Sequence, residues 1–264
     1  MASETKPTSV TLGLPLFDAN AHPEIGEHQT YRGYDDYVAT ATEAGFIGAC
    51  AVGLPGTDPR EHLAHCHKTG FLTPVAPWQS TGILRQQRAI RYLHSLGYRA
   101  LKVHPRWGGP AVGSREFRQL LSCAHDHDMV VFLCTYPFGS APLRLGDRLL
   151  HDLELAIGAV PDARLVLLHA GAVDLLRYIE FCRANEHLLL DLSLTLVKYS
   201  GSSLDDDLAF AFSHFDRRIC VGTDHPYHSI DEVVQRLKFF LEDLPEDKRQ
   251  NVLHRNIEAY LVPR

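Results

Sequence analysis

Short apolar runs alternate with helical segments along almost the whole chain, and that rhythm constrains the fold more than any other feature. The runs are Leu12–Phe17, leading into His22, then Phe46–Val52, Phe71–Trp78, Tyr98–His104, Met129–Tyr136, Arg164–His169, His187–Ser193 and Arg218–Asp224. Helical segments follow them at Tyr34–Ala44, Arg60–Thr69, Ile83–Leu96, Ser114–His127, Asp147–Val160, Val173–Ala184 and Leu204–Phe215, with Ile230–Leu241 and Pro245–Leu261 closing the chain. Asp58 before Pro59 and Ser114 are cap residues, and Gly45, Gly70 and Gly97 stand where helices end. Pro74 and Pro77 weaken the third run, because proline supplies no ladder donor. About eight strand–helix units with strand ends roughly 25–35 residues apart are the pattern of a (β/α)8 barrel. The expected fold is α/β, a TIM barrel in a single domain over residues 1–264. A doubly wound open sheet is the competitor, but it commonly carries a glycine-rich nucleotide loop, and the chain has neither GxGxxG nor GxxxxGK[ST].

Composition removes several function classes. With 45% hydrophobic and 22% charged residues, 264 residues can bury a full-sized core. A net charge of -6 with no basic stripe argues against a nucleic-acid partner. No apolar run approaches the roughly 18–20 residues that span a bilayer, and Met1–Val10 has no apolar signal segment. The six cysteines are scattered without a CxxC pair, as reduced thiols of a cytoplasmic protein are. The 16 histidines exceed ordinary usage, so some are expected as ligands or acid/base groups.

A parallel barrel carries its chemistry at the C-terminal ends of its strands. The first strand, Phe17-Asp18-Ala19-Asn20-Ala21-His22, ends in three polar residues at alternate positions, which strand alternation puts on one side. The fourth ends in Lys102 and His104, the fifth in Cys134 and Tyr136, the sixth in His169, the seventh in Asp191 and Ser193, and the eighth in Asp224. His22, His169 and Asp224 carry the most weight. Histidine and aspartate converging in a barrel mouth point to a divalent metal activating water or to metal-free acid/base catalysis. These residues alone leave both open.

The motifs Asp18–His22, Ala100-Leu-Lys-Val-His-Pro105, Leu168-His-Ala-Gly171 and Gly222-Thr-Asp-His-Pro226, in that order, resemble the amidohydrolase superfamily. The resemblance is to its branch of amino-carboxymuconate-semialdehyde decarboxylase, related non-oxidative decarboxylases and pyrone-dicarboxylate lactonase. The tail Asn251–Leu261, with Asn256, is similar to that family's closing helix. The resemblance implies metal ligands from a His-x-His on the first strand, a histidine on the fifth and an aspartate on the eighth. His22, His169 and Asp224 match their positions, whereas Asn20 replaces the first histidine and Cys134 stands at the fifth-strand position. A thiolate is a good zinc ligand and an amide oxygen a poor one. His22, Cys134 and Asp224 are therefore the expected ligands of one zinc or manganese ion, with a metal-free site the alternative.

The resemblance then implies a hydrolase of a small, anionic or cyclic substrate such as a lactone or amide. Asp224 would activate water, His169 would polarise the carbonyl or carry a proton, and His104 would assist. Asn20, Lys102, Arg106 and Tyr136 would bind the substrate, the last three as carboxylate holders. Non-oxidative decarboxylation and a metal-free, non-catalytic ligand-binding barrel are the alternatives. Homodimers are common in the family. Specificity is expected in the loops Pro23–Gly33, Pro105–Gly113, Pro137–Gly146 and Thr195–Leu204.

Overall fold

The structure, a computed structural model, describes residues 12–23, 33–139, 145 and 148–264. Eight parallel strands run in sequence order around one barrel: β1 (Leu16–Ala21), β2 (Phe46–Val52), β3 (Leu72–Trp78), β4 (Ala100–Val103), β5 (Val130–Cys134), β6 (Leu165–Leu168), β7 (Leu188–Asp191) and β8 (Ile219–Cys220). Helices follow at α1 (Gly33–Glu43), α2 (Pro59–Thr69), α3 (Ile83–Leu96), α4 (Arg115–Asp126), α5 (Leu149–Ala159), α6 (Leu175–Arg183), α7 (Thr195–Lys198), α8 (Leu204–His214) and α9 (Ile230–Leu241). This is the expected TIM barrel.

Local chemistry accounts for the element boundaries. Asp58 Oδ1 accepts from the amides of Arg60 and Glu61 at 2.7 and 3.2 Å and caps α2, while Ser114 Oγ accepts from Phe117 N at 3.1 Å and caps α4. β3 forms in spite of Pro74 and Pro77. β5 is buried along its whole length, as an apolar strand with helices outside and a filled barrel inside must be. Inside the barrel Val52, Val75, Ala100, Phe132, Leu168 and Leu189 pack together. Ile257 of the closing helix Asn256–Leu261 joins that cluster, so the N-terminal end of the barrel is plugged. A larger apolar layer lies between the barrel wall and the helices.

Four expectations need correction. Arg218–Asp224 is a paired strand only at Ile219–Cys220, because residues beyond Cys220 leave the β7 ladder and turn to β1. The Thr195–Leu204 loop contains the short helix α7. The last helix is interrupted by a π-helical turn at Asn251–Arg255. Finally, Asp18, Asn20 and His22 do not share one side. Phe17 and Ala19 pack in the barrel interior, and Asp18 instead reaches Tyr37 of α1. A register shift between Asp18 and Ala21 then turns Asn20 and His22 inward. A β-bulge of this kind adds a residue to one strand and re-aims the side chains after it. Most of Pro23–Gly33, part of Pro137–Gly146 and the predicted start of the fifth helix at Asp147 lie outside the described residues.

The barrel closes between β1 and the segment after β8. Ala19 N donates to Val221 O at 2.9 Å, Asp224 N to Asn20 O at 2.8 Å and His22 N to His225 O at 2.9 Å. Asp18 reinforces the seam: its carboxylate accepts from Asn20 N (3.0 Å), Thr223 N (2.9 Å), Thr223 Oγ1 (2.6 Å) and the Tyr37 hydroxyl (2.7 Å). Gly222 permits this approach, since a Cβ there would lie 2.7 Å from Asn20 N.

Candidate active site

The C-terminal ends of the strands surround a cavity of ≈ 410 Å³. His22, Lys102, His104, Arg106, His169 and Asp224 line it from four strand ends, those of β1, β4, β6 and β8, and Tyr136, Trp107, Lys198 and Tyr227 form its outer wall. Seven of the predicted site residues therefore share one cavity. Asn20 and Cys134 lie beneath it, fully buried, and touch the groups that line it.

Two lining residues are held in unusual backbone. Asp224 has φ 54° and His169 φ 66°, left-handed values that side-chain-bearing residues adopt at a cost. Residues 169–172 all have positive φ, and at Gly171 a Cβ would lie 2.2 Å from the Tyr178 ring. The turn swings the His169 ring back over the barrel, where Ser193 holds it. His169 Nδ1 lies 3.1 Å from the Ser193 carbonyl, its amide N is 3.5 Å from Asp191 Oδ2, and the Ser193 hydroxyl donates to the same carboxylate oxygen.

The charge states follow from these contacts. Burial opposes charge on His169, but Asp224, Cys134 and Asp191 outweigh it and raise its pKa to about 9. His169 is thus an imidazolium at neutral pH. Burial pushes the Cys134 thiol up, yet hydrogen bonds and charge from His104 and His169 bring it well below its ordinary value. Burial likewise opposes the Asp224 carboxylate, while His169, His22 and Lys102 hold it well below the usual range. Asp191 is pushed up to about 6 by burial, against the pull of His169 and Ser193. Burial lowers His104, which stacks on Trp107 with ring centroids 4.2 Å apart and leaves Nδ1 without a partner.

His22 is a neutral acceptor toward the cavity. Its Nδ1 lies 2.6 Å from the Val52 carbonyl, so that nitrogen carries the proton. Its Nε2 lone pair then faces Lys102 Nζ at 3.1 Å and lies 3.6 Å from Asp224 Oδ1. Burial and the Lys102 charge lower the His22 pKa, in keeping with that state. Asn20 Nδ2 donates to both Ser193 Oγ and Asp224 Oδ1 at 3.0 Å. Only the amide N–H face can meet an ionised carboxylate, which leaves Asn20 Oδ1 turned away and unpartnered.

These residues do not fit a divalent ion. The one His22 nitrogen able to ligate accepts from an ammonium group, Asn20 presents hydrogens to Asp224, and Cys134 is engaged by His104 and His169. Among the described residues no three His, Cys, Asp or Glu side chains are grouped to hold a metal.

The outer wall is cationic and aromatic. The Arg106 guanidinium lies 5.1 Å from the Tyr136 ring centre, and Lys198 Nζ lies 5.5 Å from the same ring. Arg106 also donates to the Phe138 carbonyl at 2.7 Å. Lys198 and Tyr227 escaped the sequence reading, because one ends the short helix α7 and the other lies in a turn, and neither has a strand alternation to mark its side chain as inward. The loop Thr195–Leu204, which holds Lys198, was identified, but the segment of Tyr227 was not.

A parallel eight-stranded barrel with polar groups at the C-terminal ends of its strands is an arrangement that enzymes of many chemistries use. The Amidohydrolase family profile matches residues 61–261, and the chain belongs to that family. It is accordingly an enzyme fold of the amidohydrolase type. No curated protein matches the chain in sequence. Among solved structures, an uncharacterised TIM-barrel protein from Bordetella bronchiseptica superposes with a TM-score of 0.77 at 18% identity, over 94% of this chain and 98% of that one. A probable 2-pyrone-4,6-dicarboxylic acid hydrolase from Acinetobacter baumannii, with citric acid bound, gives 0.69 at 14% identity over 94% and 99%. A 2,6-dihydroxybenzoate decarboxylase from Rhizobium gives 0.63 at 12% identity over 94% and 98%. At these identities the likeness is one of fold. Among the described residues no helix is long and apolar enough to cross a membrane.

Proposed function

We propose that the chain hydrolyses a small, anionic, cyclic ester or amide, with Asp224 activating water and His169 stabilising the developing oxyanion. The observation that carries this reading is the charge layout of the cavity: among the described residues, Lys102, Arg106, Lys198 and the His169 imidazolium surround a single lining carboxylate, Asp224. A site of that sign attracts an anion and holds it near Asp224. The aromatic rings of Trp107, Tyr136 and Tyr227 suit a planar ring.

The chemistry runs as follows. Lys102, Arg106 or Lys198 pairs with a substrate carboxylate and sets the scissile carbonyl beside His169. Asp224 takes a proton from water as the water oxygen bonds to the carbonyl carbon. The charge that builds on the carbonyl oxygen lies against the imidazolium. Collapse breaks the C–O or C–N bond, and the leaving atom receives a proton from His169. In the resting site Asp224 is a weak base because cations surround it. An anionic substrate offsets those cations and raises its basicity, so binding and base strength rise together.

Decarboxylation is the second reading. It is favoured by the same imidazolium, which can deliver a proton to carbon as carbon dioxide leaves. A panel of carboxylated lactones, amides and aromatic acids, followed by proton release in a pH-stat and by carbon dioxide trapping, separates the two. Hydrolytic turnover that disappears in Asp224→Asn, with unchanged circular dichroism, is the expected result. An Asp224→Asn protein as active as the parent overturns the assignment.

A further inference from the structure

We propose that the Lys102 ammonium is the resident cation of this site and stands where a divalent ion would otherwise bind. The argument is geometric and does not depend on which substrate is turned over. Two ligands about 2.1 Å from one ion at a tetrahedral angle lie about 3.4 Å apart. His22 Nε2 and Asp224 Oδ1 are 3.6 Å apart, so this pair keeps the spacing of two ligands to a common cation. Lys102 Nζ, 3.1 Å from His22 Nε2, uses the lone pair that an ion would need. Both nitrogen and ammonium are buried, with His22 7% and Lys102 4% exposed, so the contact is not a surface accident.

The surroundings are built for an internal ammonium. The Val52 carbonyl fixes the His22 tautomer so that an acceptor, not a donor, faces Lys102. Asn20 supplies two N–H donors at its end of the site, where a second imidazole lone pair would be needed for a metal. One of these donors holds Asp224 Oδ1, so the carboxylate is oriented by an amide. A lysine ammonium supplies one charge and three donors, whereas a divalent ion supplies two charges and open coordination. The swap suits a site that orients and stabilises anions and leaves proton transfer to Asp224 and His169.

The inference predicts metal content, which can be read without any substrate. Full-length wild type, His22→Ala, Lys102→Met and the pair Asn20→His with Lys102→Met would be incubated with zinc or manganese, desalted and analysed for metal. Wild type should retain no more metal than His22→Ala, which sets the level of adventitious binding by other histidines. The double variant should gain about one zinc per chain, and a further His22→Ala should remove it. One equivalent of metal on wild type that His22→Ala abolishes overturns the inference, as does a folded double variant that stays at the His22→Ala level. The comparison of wild type with His22→Ala stands even where the Lys102 variants fail to fold. A failed hydrolase assay leaves the metal measurement untouched, so the two readings fail separately.

Discussion

Asn20 Nδ2 lies 3.0 Å from Asp224 Oδ1, an amide steadying a buried carboxylate across the seam where the barrel closes. The contact depends on Asn20 being neutral. Asn20→Asp would face one carboxylate with another, and the pair would keep a proton that the parent does not need. The variant is expected to lose on the order of 3 kcal/mol at about pH 8 and much less at about pH 5, the difference growing as the shared proton is lost. Urea unfolding at the two pH values measures it, and an equal loss at both would show that charge at this contact is unimportant.

His169 makes the alkaline side of the pH profile predictable. Its folded pKa of about 9 lies above the ordinary 6.5. Its stabilising contribution is complete below pH 6.5 and is lost as pH rises through 9. The shift corresponds to roughly 3 kcal/mol at most. Asp191, raised from 3.8 to about 6, works in the same direction at lower pH, its contribution disappearing as pH rises through 6. Thermal unfolding followed from pH 6.5 to pH 10 should show a decline that His169→Gln removes. The kcat/KM of the parent should fall above about 9 as the imidazolium is lost.

Cys134 raises the His169 pKa by hydrogen bond and charge. Cys134→Ser takes away the sulfur that supports the His169 charge, so the alkaline limb of kcat/KM should move down, by at most the roughly one pH unit of one adjacent charge. An unmoved limb would mean that the Cys134 sulfur does not support the imidazolium.

Asp18 holds four donors and does not line the cavity. Asp18→Ala would leave those donors buried and unpaired, at a cost on the order of 3–5 kcal/mol. Differential scanning calorimetry should show a melting temperature lower by about 10 °C, given roughly 2–4 °C per kcal/mol for a chain of this size. A change of a degree or two would place the strength of the seam in its backbone hydrogen bonds instead.

Much of the fold was legible because its causes are local. Periodicity, the Asp58 and Ser114 caps and the helix-ending glycines act within a few residues, and their repetition has few architectures that satisfy it. Strand-end position alone was enough to nominate His22, Lys102, His104, His169 and Asp224, and the barrel does bring them to one cavity.

What the residue order could not express is which neighbour each group meets. Strand alternation placed Asp18, Asn20 and His22 together; the bulge in β1, a response to pairing with β2, sends Asp18 to the seam and the other two to the site. Nothing near Lys102 in the chain announces His22, eighty residues away. Nor does anything near Lys198 announce Tyr136. Those pairings arise when eight separate segments close into one ring, and the ring also sets the burial and charge that make His169 a cation and Asp224 an anion. The sequence by itself determined the barrel and the residue types at its mouth, because patterning and capping are properties of contiguous residues. Only the tertiary structure decided that Lys102 faces His22, because distances across a barrel are set by packing and closure.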